Sequence, residues 1–349
     1  MKPPYRVPSM KEIEALPHNG FNVVSTFSGA GGSCLGYRMA GYRVLWANEF
    51  VPVARDTYKA NHPNSILDGR DIRTVQAHEI LDAIGFDKGQ LDLFDGSPPC
   101  SAFSTAGKGS KGWGVTKDYS TGANQIVDDL FFEYARLLDG LQPKTFVAEN
   151  VTGLVKGKSK GYFFEILQSL KDCGYNVQAK VLDASWLGVP QMRQRVIFVG
   201  VRNDLGLDPV FPKPMAYQYT LRDALSGIQE QKDVDADISK YAIAKQWNEC
   251  KQNGWVTHPK RFSLVLPKWD GACNTITAHA SISLASVCHP DECRRFYVSE
   301  LKRIQSFPDD FVLHGKYPQK VERIGRSVPP VMMMHIASAI RDGVLCKIK

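Results

Sequence analysis

The sequence lacks the features that identify membrane, secreted and disulfide-bonded proteins. It has no run of about 18 apolar residues, so we predict no membrane-spanning helix. The first 20 residues carry prolines and charges without an apolar core, which argues against a secretion signal. The eight cysteines form no CxxC pair, so we expect scattered reduced thiols and no metal site. These absences favour a cytoplasmic protein.

Internal repeats and low-complexity tracts are also missing, and neither sign of charge is in large excess. The 43 basic and 36 acidic residues leave a formal net charge of +7, which fits a polyanionic partner without requiring one. A chain of 349 residues with 43% hydrophobic content is long for a single core. We therefore expect a large α/β domain joined to a smaller one.

A glycine-rich turn near the N-terminus predicts a nucleotide-binding unit. The β-rich run 21–27 leads directly into Ser28-Gly29-Ala30-Gly31-Gly32, and a helix follows. Glycines let the backbone approach a ligand closely, and the helix N-terminus offers N–H groups. A dinucleotide-binding loop competes with this interpretation, but Cys34 stands where GxGxxG requires its third glycine. Glu49 follows the second predicted strand, where it would either bind a ribose diol or cap the next helix.

A single cysteine comes directly after a predicted buried strand. Residues 91–94 form a short apolar run, and Gly96 and two prolines end it in a stiff, extended turn before Cys100. The carboxyl end of a strand is where α/β sheets place their chemistry, so Cys100 is a candidate nucleophile. The alternative is a half-buried thiol in a tight loop.

Charged side chains follow two later strands. Glu149 comes at the carboxyl end of the predicted strand 144–148. Arg193 and Arg195 are two residues apart on a predicted extended segment, so their side chains should point the same way. Burying such a pair without anions is costly, so we expect a phosphate, a carboxylate or a base to face it.

Together these segments resemble the cytosine-C5 DNA methyltransferases, and the resemblance recurs in order along nearly the whole chain. The matching motifs are Phe-Ser-Gly-Ala-Gly-Gly at 27–32, Pro-Pro-Cys-x-x-Phe-Ser at 98–104, Glu-Asn-Val at 149–151 and Gln-x-Arg-x-Arg at 191–195. The resemblance implies an α/β fold in which an S-adenosylmethionine-dependent methyltransferase sheet, Rossmann-like and doubly wound, carries a smaller target-recognition domain.

The resemblance further implies how the chain is divided. A catalytic and cofactor-binding domain would occupy residues 1–202, and a target-recognition region would occupy residues 203–296. The segment 297–349 would return to the catalytic domain.

The resemblance also implies the reaction. A cytosine would be flipped out of duplex DNA, and a methyl group would pass from S-adenosylmethionine to C5 through a covalent adduct with Cys100. Glu149 would hold the N3 edge of the flipped base, while Arg193 and Arg195 would orient Glu149, the base oxygen and a phosphate. A tRNA cytosine-C5 methyltransferase is an alternative, because it shares the same domain.

The cofactor residues that the resemblance implies are spread over several parts of the chain. Asp71 would bind the adenine amino group, but Arg70 interrupts the family's Gly-Asp-Ile pattern, so Asp68 is an alternative. The full set is Phe27, Ser28, Gly29, Gly31, Gly32, Glu49, Asp71, Ile72, Ser97, Pro98, Arg326, Ser327 and Val328.

Most of the implied DNA contacts fall in the loop that contains the cysteine. Residues 105–122 are rich in glycine, lysine and serine, and would either close over DNA or form a solvated loop. Tryptophans within 203–273 would either belong to base recognition or pack in a subdomain core, and for most of them we expect core packing. The predicted contact residues are Ser101, Ser104, Lys108, Lys111, Trp113, Gln191, Lys260 and Arg261.

Arg326 departs from the family pattern, which has asparagine at this position. Its guanidinium would turn outward or pair with the methionine carboxylate of the cofactor. Alternatively it would bind an extra carboxylate on carboxy-S-adenosylmethionine, and the enzyme would then be a cytosine C5 carboxymethyltransferase. The expected partners are duplex DNA and a cognate restriction endonuclease, for a monomeric enzyme associated with the nucleoid.

Overall fold

The computed structural model describes residues 2–99, 116–118, 124–126, 129–156, 160–229, 231–278 and 287–348. The chain divides into two compact units. The smaller unit consists of Met1–Ala15, Asp183–Arg193 and Lys213–Met332, and the larger unit of Leu16–Leu182, Gln194–Pro212 and Met333–Lys349. Within the described ranges, no helix combines the length and the apolarity needed to cross a membrane.

The strands of the described residues are β1 Asn22–Thr26, β2 Arg43–Asn48, β3 Ile66–Asp68, β4 Leu93–Gly96, β5 Thr116–Asp118, β6 Asn124–Ile126, β7 Thr145–Val151, β8 Tyr175–Asp183, β9 Gln194–Arg202, β10 Thr257–His258 and β11 Arg261–Val265. The helices are α1 Met10–Glu14, α2 Gly32–Met39, α3 Pro52–Asn61, α4 Ala77–Ile84, α5 Leu130–Leu141, α6 Lys160–Asp172, α7 Leu221–Leu225, α8 Ile243–Asn253, α9 Val298–Ile304, α10 Tyr317–Arg326 and α11 Pro330–Gly343.

The larger unit is built on a sheet that contains seven of the described strands, in the order β3-β2-β1-β4-β7-β9-β8. β1 pairs in parallel with β2 and β4, and β4 pairs in parallel with β7, whereas β7 and β9 are antiparallel. The strand order reverses between β1 and β4, because the chain runs outward from β1 to β3 before it returns. This switch point confirms the predicted doubly wound α/β sheet.

The central strands are buried on both faces, which explains why they read as apolar runs rather than alternating patterns. Val23 and Val24 are neighbours on β1 with side chains on opposite faces, and both are fully buried. α5 contributes Tyr134, Leu138 and Leu141 to the same core at helical spacing. Helix packing of this kind fixes the strands, and therefore the positions of the residues at their ends.

The smaller unit contains two apolar clusters. Phe296, Leu301 and other side chains form the first, and Trp247 lies in the second with 6% of its surface exposed. Trp269 is half-buried against the first cluster, whereas Trp255 is 39% exposed, so the tryptophans divide between core and surface. The unit includes residues 297–332, which the predicted boundaries separate from 203–296. The functional roles of these segments stay predictions.

A close contact within the sheet gives a test of this packing. Gly200 on β9 lies opposite Phe146 on β7, and a Cβ at Gly200 would come within 2.0 Å of the Phe146 ring. Gly200→Ala should therefore lower the free energy of unfolding by roughly 1–3 kcal/mol, because the ring has to move within a dense core. Urea denaturation followed by circular dichroism measures the change.

Gly161→Ala in α6 is the matched control, because nothing lies within 4 Å of a Cβ added there. This substitution should be neutral or stabilising, since alanine favours the helix. Equal stability of the two variants would contradict the described packing of Phe146.

Candidate active site

The glycine turn, residues 27–32, connects β1 to α2 through unusual backbone angles. Phe27, Gly29 and Gly31 have φ values of +53°, +58° and +88°. A Cβ at Gly31 would lie 2.3 Å from His62 Nε2, so the turn depends on glycine at this position. No side chain caps the N-terminus of α2. The turn therefore presents bare backbone and the first N–H groups of α2, as an anionic or polar ligand requires.

Glu49 holds this turn to the end of β2. One carboxylate oxygen accepts a hydrogen bond from the N–H of Gly29 and the other from the N–H of Val51, each at 2.7 Å. Val51 is itself the N-cap of α3 and no side chain makes the cap hydrogen bond, so the alternative role of Glu49 as the cap of this helix is wrong. The same contacts place its carboxylate beside the turn. Its predicted hydrogen bonds to a ribose stay a prediction.

Asp68 and Asp71, the alternatives for adenine recognition, have different partners. Asp68 pairs with Arg70, with 2.7 Å between Oδ2 and Nη2. Asp71 accepts a hydrogen bond from the N–H of Arg73 at 3.1 Å and caps the 3₁₀ turn that Ile72 begins. Ile72 is 1% exposed and packs within the core, so its predicted contact with an adenine ring rests on the resemblance alone.

The segment that leads to the cysteine is anchored on β7. Ser97 and Pro98 follow β4, and Asn150 Nδ2 donates a hydrogen bond to the carbonyl oxygen of Pro98 at 3.2 Å. β4 and β7 are parallel with Gly96 opposite Ala148, which places the next residue of β7, Glu149, at the same end of the sheet. Several predicted residues lie outside the described ranges, namely Cys100, Ser101, Ser104, Lys108, Lys111 and Trp113.

Glu149 forms an ion pair with Arg195 across β7 and β9. Arg195 Nε lies 2.8 Å from Glu149 Oε1, and the two side chains are only 14% and 11% exposed. Burial lowers the pKa of the Arg195 guanidinium, and the Glu149 carboxylate opposes that shift. Arginine stays cationic in proteins, so the carboxylate is held in one orientation by a charged, directional donor. This pairing agrees with the predicted orienting role of Arg195.

Arg193 directs its guanidinium to backbone carbonyl oxygens, and its predicted part in orienting Glu149, the base oxygen or a phosphate stays a prediction. Its guanidinium, in the smaller unit, is 1% exposed and donates to the carbonyl oxygens of Ile276 and Gly325 at 3.1 and 2.9 Å. Arg195 is held by β9, and Arg193 lies one residue before that strand begins. Within the smaller unit, Arg193 ties these backbone segments together.

Gln191 also departs from its predicted role. It is fully buried, it accepts a hydrogen bond from the N–H of Ile276 at 3.0 Å, and it donates to Gln305. Gln305 in turn donates to the carbonyl oxygen of Ser327 at 2.7 Å. These bonds explain the burial of Gln191, which organises loops of the smaller unit and is not on a surface that DNA could reach. Lys260 is exposed, while Arg261 begins β11 and its side chain is not among those described.

Arg326 ends α10 and has an anionic partner within its own helix. Its Nε lies 2.7 Å from Glu322 Oε1, and Glu322 also lies 2.8 Å from Arg323 Nη2. The hydroxyl of Ser327 donates to the carbonyl oxygen of Arg323 at 2.7 Å, and Val328 is buried. Residues 324–326 form the last turn of this helix, and the predicted cofactor contacts of Arg326, Ser327 and Val328 stay predictions.

Comparison with known proteins identifies the family. The sequence model of the C-5 cytosine-specific DNA methylases matches residues 21–342. The chain belongs to this family. The methyltransferase is 31% identical over 358 residues to the Type II methyltransferase M.PspPI of Psychrobacter sp. (strain TA137), covering 95% of this chain and 81% of that protein.

Other relatives agree with this assignment. The Type II methyltransferase M.MthTI of Methanothermobacter thermautotrophicus is 32% identical over 346 residues, covering 93% of this chain and 99% of that protein. A solved structure of a DNA modification methyltransferase, encoded within an Escherichia coli prophage, matches with a TM-score of 0.69 at 25% identity. It covers 93% of this chain and 99% of that one. The protein is thus a DNA cytosine-5 methyltransferase, as the sequence motifs predict.

One group of residues beside the glycine turn of the methyltransferase was not predicted from the sequence. Asp95 lies inside β4 and is 2% exposed. Its Oδ2 accepts a hydrogen bond from Ser25, and its Oδ1 accepts one from Tyr37. A carboxylate within an otherwise apolar strand was the signal that could have revealed it, because buried acids need partners.

The ion cluster at the end of α10 provides a test of the site's construction. Glu322 is 7% exposed and Arg323 is 2% exposed, whereas Arg326 is 30% exposed. Glu322→Gln should lower the free energy of unfolding by roughly 3–5 kcal/mol, because it deprives the buried Arg323 of this carboxylate. Arg326→Asn should cost about 1 kcal/mol or less, because a partly exposed pair contributes little. Thermal and urea unfolding of the two variants measure the difference, and equal losses would refute the described pairing.

Proposed function

We propose that the enzyme flips a cytosine out of duplex DNA and methylates C5 through a covalent adduct of Cys100, with S-adenosylmethionine as the methyl donor. One observation carries the proposal: Asn150 holds the carbonyl of Pro98, two residues before Cys100, while the adjacent Glu149 is oriented by Arg195. A candidate nucleophile and a candidate base-holding carboxylate thus come from neighbouring parallel strands.

The chemistry assigns a role to each of these residues. C5 of cytosine is a poor nucleophile until a thiolate bonds to C6 and moves ring electrons toward C5. Cys100 would form that bond, and Glu149 would hydrogen-bond the N3 edge and the exocyclic amine. Arg195 would keep Glu149 in place. After C5 has taken the methyl group, loss of the C5 proton breaks the bond between sulfur and C6 and restores the aromatic ring.

The glycine turn fits the donor. No side chain caps α2, and no atom lies within 4 Å of a Cβ added at Gly29. A hydrogen bond from the N–H of Gly29 holds Glu49 beside it. Bound S-adenosylmethionine supplies an electrophilic methyl group on a sulfonium. The residues that would hold it in the larger unit are Phe27, Ser28, Gly29, Gly31, Gly32, Glu49, Asp71, Ile72, Ser97 and Pro98.

The carboxymethyl and tRNA alternatives are not favoured. The family model is that of DNA methylases, and the Psychrobacter and Methanothermobacter relatives are named as methyltransferases. Arg326, the residue on which a carboxylated donor would depend, already pairs with Glu322. Because these relatives carry Type II names, we place the enzyme in a restriction–modification system with a cognate endonuclease. Base recognition by residues 203–296, a nucleoid location and a monomeric state remain predictions.

Nucleoside mass spectrometry tests the proposal. Incubation of the full chain with unmodified duplex DNA and S-adenosylmethionine should add one methyl group to deoxycytidine, and Cys100→Ala should abolish the product. Cys346→Ala is the matched control, because Cys346 is a free, exposed thiol outside the proposed site. It should leave the methylation rate unchanged.

A second readout addresses the adduct itself. Duplex DNA with 5-fluorocytosine retains fluorine where the enzyme must remove a proton, so the bond to sulfur should persist. A denaturing gel should show this covalent complex with the unmodified enzyme and the Cys346→Ala variant but not with Cys100→Ala. Methylation by Cys100→Ala, or methylation of tRNA and not of DNA, would contradict the proposal.

A further inference from the structure

A series of buried and part-buried hydrogen bonds connects the glycine turn to β4. The hydroxyl of Ser28 lies 3.0 Å from Ser25 Oγ, and Ser25 Oγ lies 2.8 Å from Asp95 Oδ2. Tyr37 on α2 donates to the other oxygen, Oδ1, at 3.0 Å. Asp95 therefore links the turn, α2 and the strand that leads to Cys100, and none of these contacts is used in the mechanism above.

The fold places these groups together for a simple reason. β1 and β4 are parallel neighbours in which Ser25 lies opposite Asp95. Side chains at paired positions share one face of the sheet, so hydroxyl and carboxylate meet. Ser28 is three residues beyond Ser25 and follows the end of β1, so it reaches the same hydroxyl from the turn.

The number of available protons limits which group donates in each of these hydrogen bonds. A serine hydroxyl has one proton, and an ionised carboxylate only accepts. When Asp95 is ionised, Ser25 must donate to it, which leaves Ser25 to accept from Ser28. When Asp95 is protonated on Oδ2, it donates to Ser25, so Ser25 no longer has to direct its proton to Asp95 and can donate to Ser28, whose own hydroxyl can then donate to the carbonyl oxygen of Ser25 at 3.2 Å. The hydrogen bonding of Ser28 thus depends on the charge of Asp95.

We propose that Asp95 is a positioning residue for the methyl donor: its ionised carboxylate orients Ser28 through Ser25 and places a negative charge beneath the turn where the cationic sulfonium cofactor binds. The inference rests on the proposed function, because it assumes that this turn holds S-adenosylmethionine. Its consequence is that the ionised form of Asp95 binds the donor more tightly than the protonated form.

The surroundings of Asp95 put its titration in an accessible pH range. Burial raises the pKa of Asp95 to about 7, its hydrogen bonds to Ser25 and Tyr37 oppose the rise, and the nearby charge of Glu149 adds to it. Apart from Glu149 on β7, the titratable neighbours are Cys34 and Tyr37 on α2 and Tyr134 on α5.

Four buried neighbours each keep one protonation state between pH 6 and 8, namely Cys34, Tyr37, Tyr134 and His62. Burial raises the pKa of the Cys34 thiol to about 11 and raises those of Tyr37 and Tyr134 well above the usual value. His62, which contacts Gly31, has its pKa lowered by burial to about 3, so it stays neutral. Among these described groups, Asp95 is therefore the one expected to change charge in this pH range.

Calorimetric titration of the full chain with S-adenosylmethionine at pH 6, 7 and 8 tests the inference. If only enzyme with ionised Asp95 binds the donor, the fraction of enzyme able to bind rises from roughly one-tenth at pH 6 to roughly nine-tenths at pH 8. The Kd for S-adenosylmethionine should therefore fall about tenfold over this range. Asp95→Asn cannot ionise, so its Kd should show no such fall and should be at least as high at every pH as that of the unmodified enzyme at pH 6. The amino group of the ligand titrates equally in both proteins and cancels in the comparison.

Asp82→Asn is the matched control, because Asp82 is an exposed acid on α4 of the same unit. Its pH profile should follow that of the unmodified enzyme. Tyr37→Phe removes a donor to the ionised carboxylate, so it should move the midpoint of the profile to higher pH. This second variant keeps the inference testable even where Asp95→Asn folds poorly.

Thermal unfolding separates positioning from a purely structural role. The folded-state pKa of Asp95 is raised from 3.8, so its contribution to stability is complete below pH 3.8 and is lost as pH rises through about 7. From pH 6 to 8, the Tm of Asp95→Asn should therefore rise relative to the Tm of the unmodified enzyme. Over the same range, the affinity of the variant for the donor should fall relative to that of the unmodified enzyme.

The outcomes are distinguishable. A Kd profile of Asp95→Asn that parallels the unmodified enzyme would overturn the positioning role, even where methyl transfer is intact. Failure of the unmodified enzyme to bind S-adenosylmethionine at any pH would instead overturn the proposed function.

Discussion

The parallel pairing of β1, β4 and β7 is the constraint on which the site in the larger unit depends. Parallel neighbours end at the same edge of a sheet, so the glycine turn and the segment before Cys100 leave the sheet at the end where β7 carries Glu149. Helices cover both faces, and this leaves the strand ends as the place where polar side chains can meet a ligand. The proposed chemistry would follow from the register of these three strands.

The buried carboxylates of the molecule have different kinds of partners. Glu149 is paired with a guanidinium, and Glu322 lies between two of them. Asp95 has hydroxyl donors at both oxygens instead, which satisfy its hydrogen bonds without neutralising its charge. Burial raises the pKa of Asp95 to about 7, and its hydroxyl donors oppose that rise only in part, so this carboxylate can respond to pH.

The polar network of the smaller unit has a different purpose. Arg193 and Gln191 direct their hydrogen bonds to backbone groups of segments far away in sequence, at Ile276 and Gly325. Backbone polar groups in buried loops require partners, and long side chains supply them where no strand does. Residues of a family motif can therefore serve the architecture of loops as much as contact with a substrate.

The sequence by itself determined the strand–turn–helix at residues 22–39 and the family, because these depend on local backbone preference and motif spacing. It predicted a strand that ends before Glu149, whereas β7 continues to Val151 and Glu149 lies within it. Only the tertiary structure decided the partners. Arg195 meets Glu149 because β9 pairs with β7, and the burial of Gln191 follows from loops more than 80 residues away. Likewise Asp95 meets Ser25 through strand pairing across 70 residues. Local patterns specify the elements, but the register between distant strands specifies which charges meet.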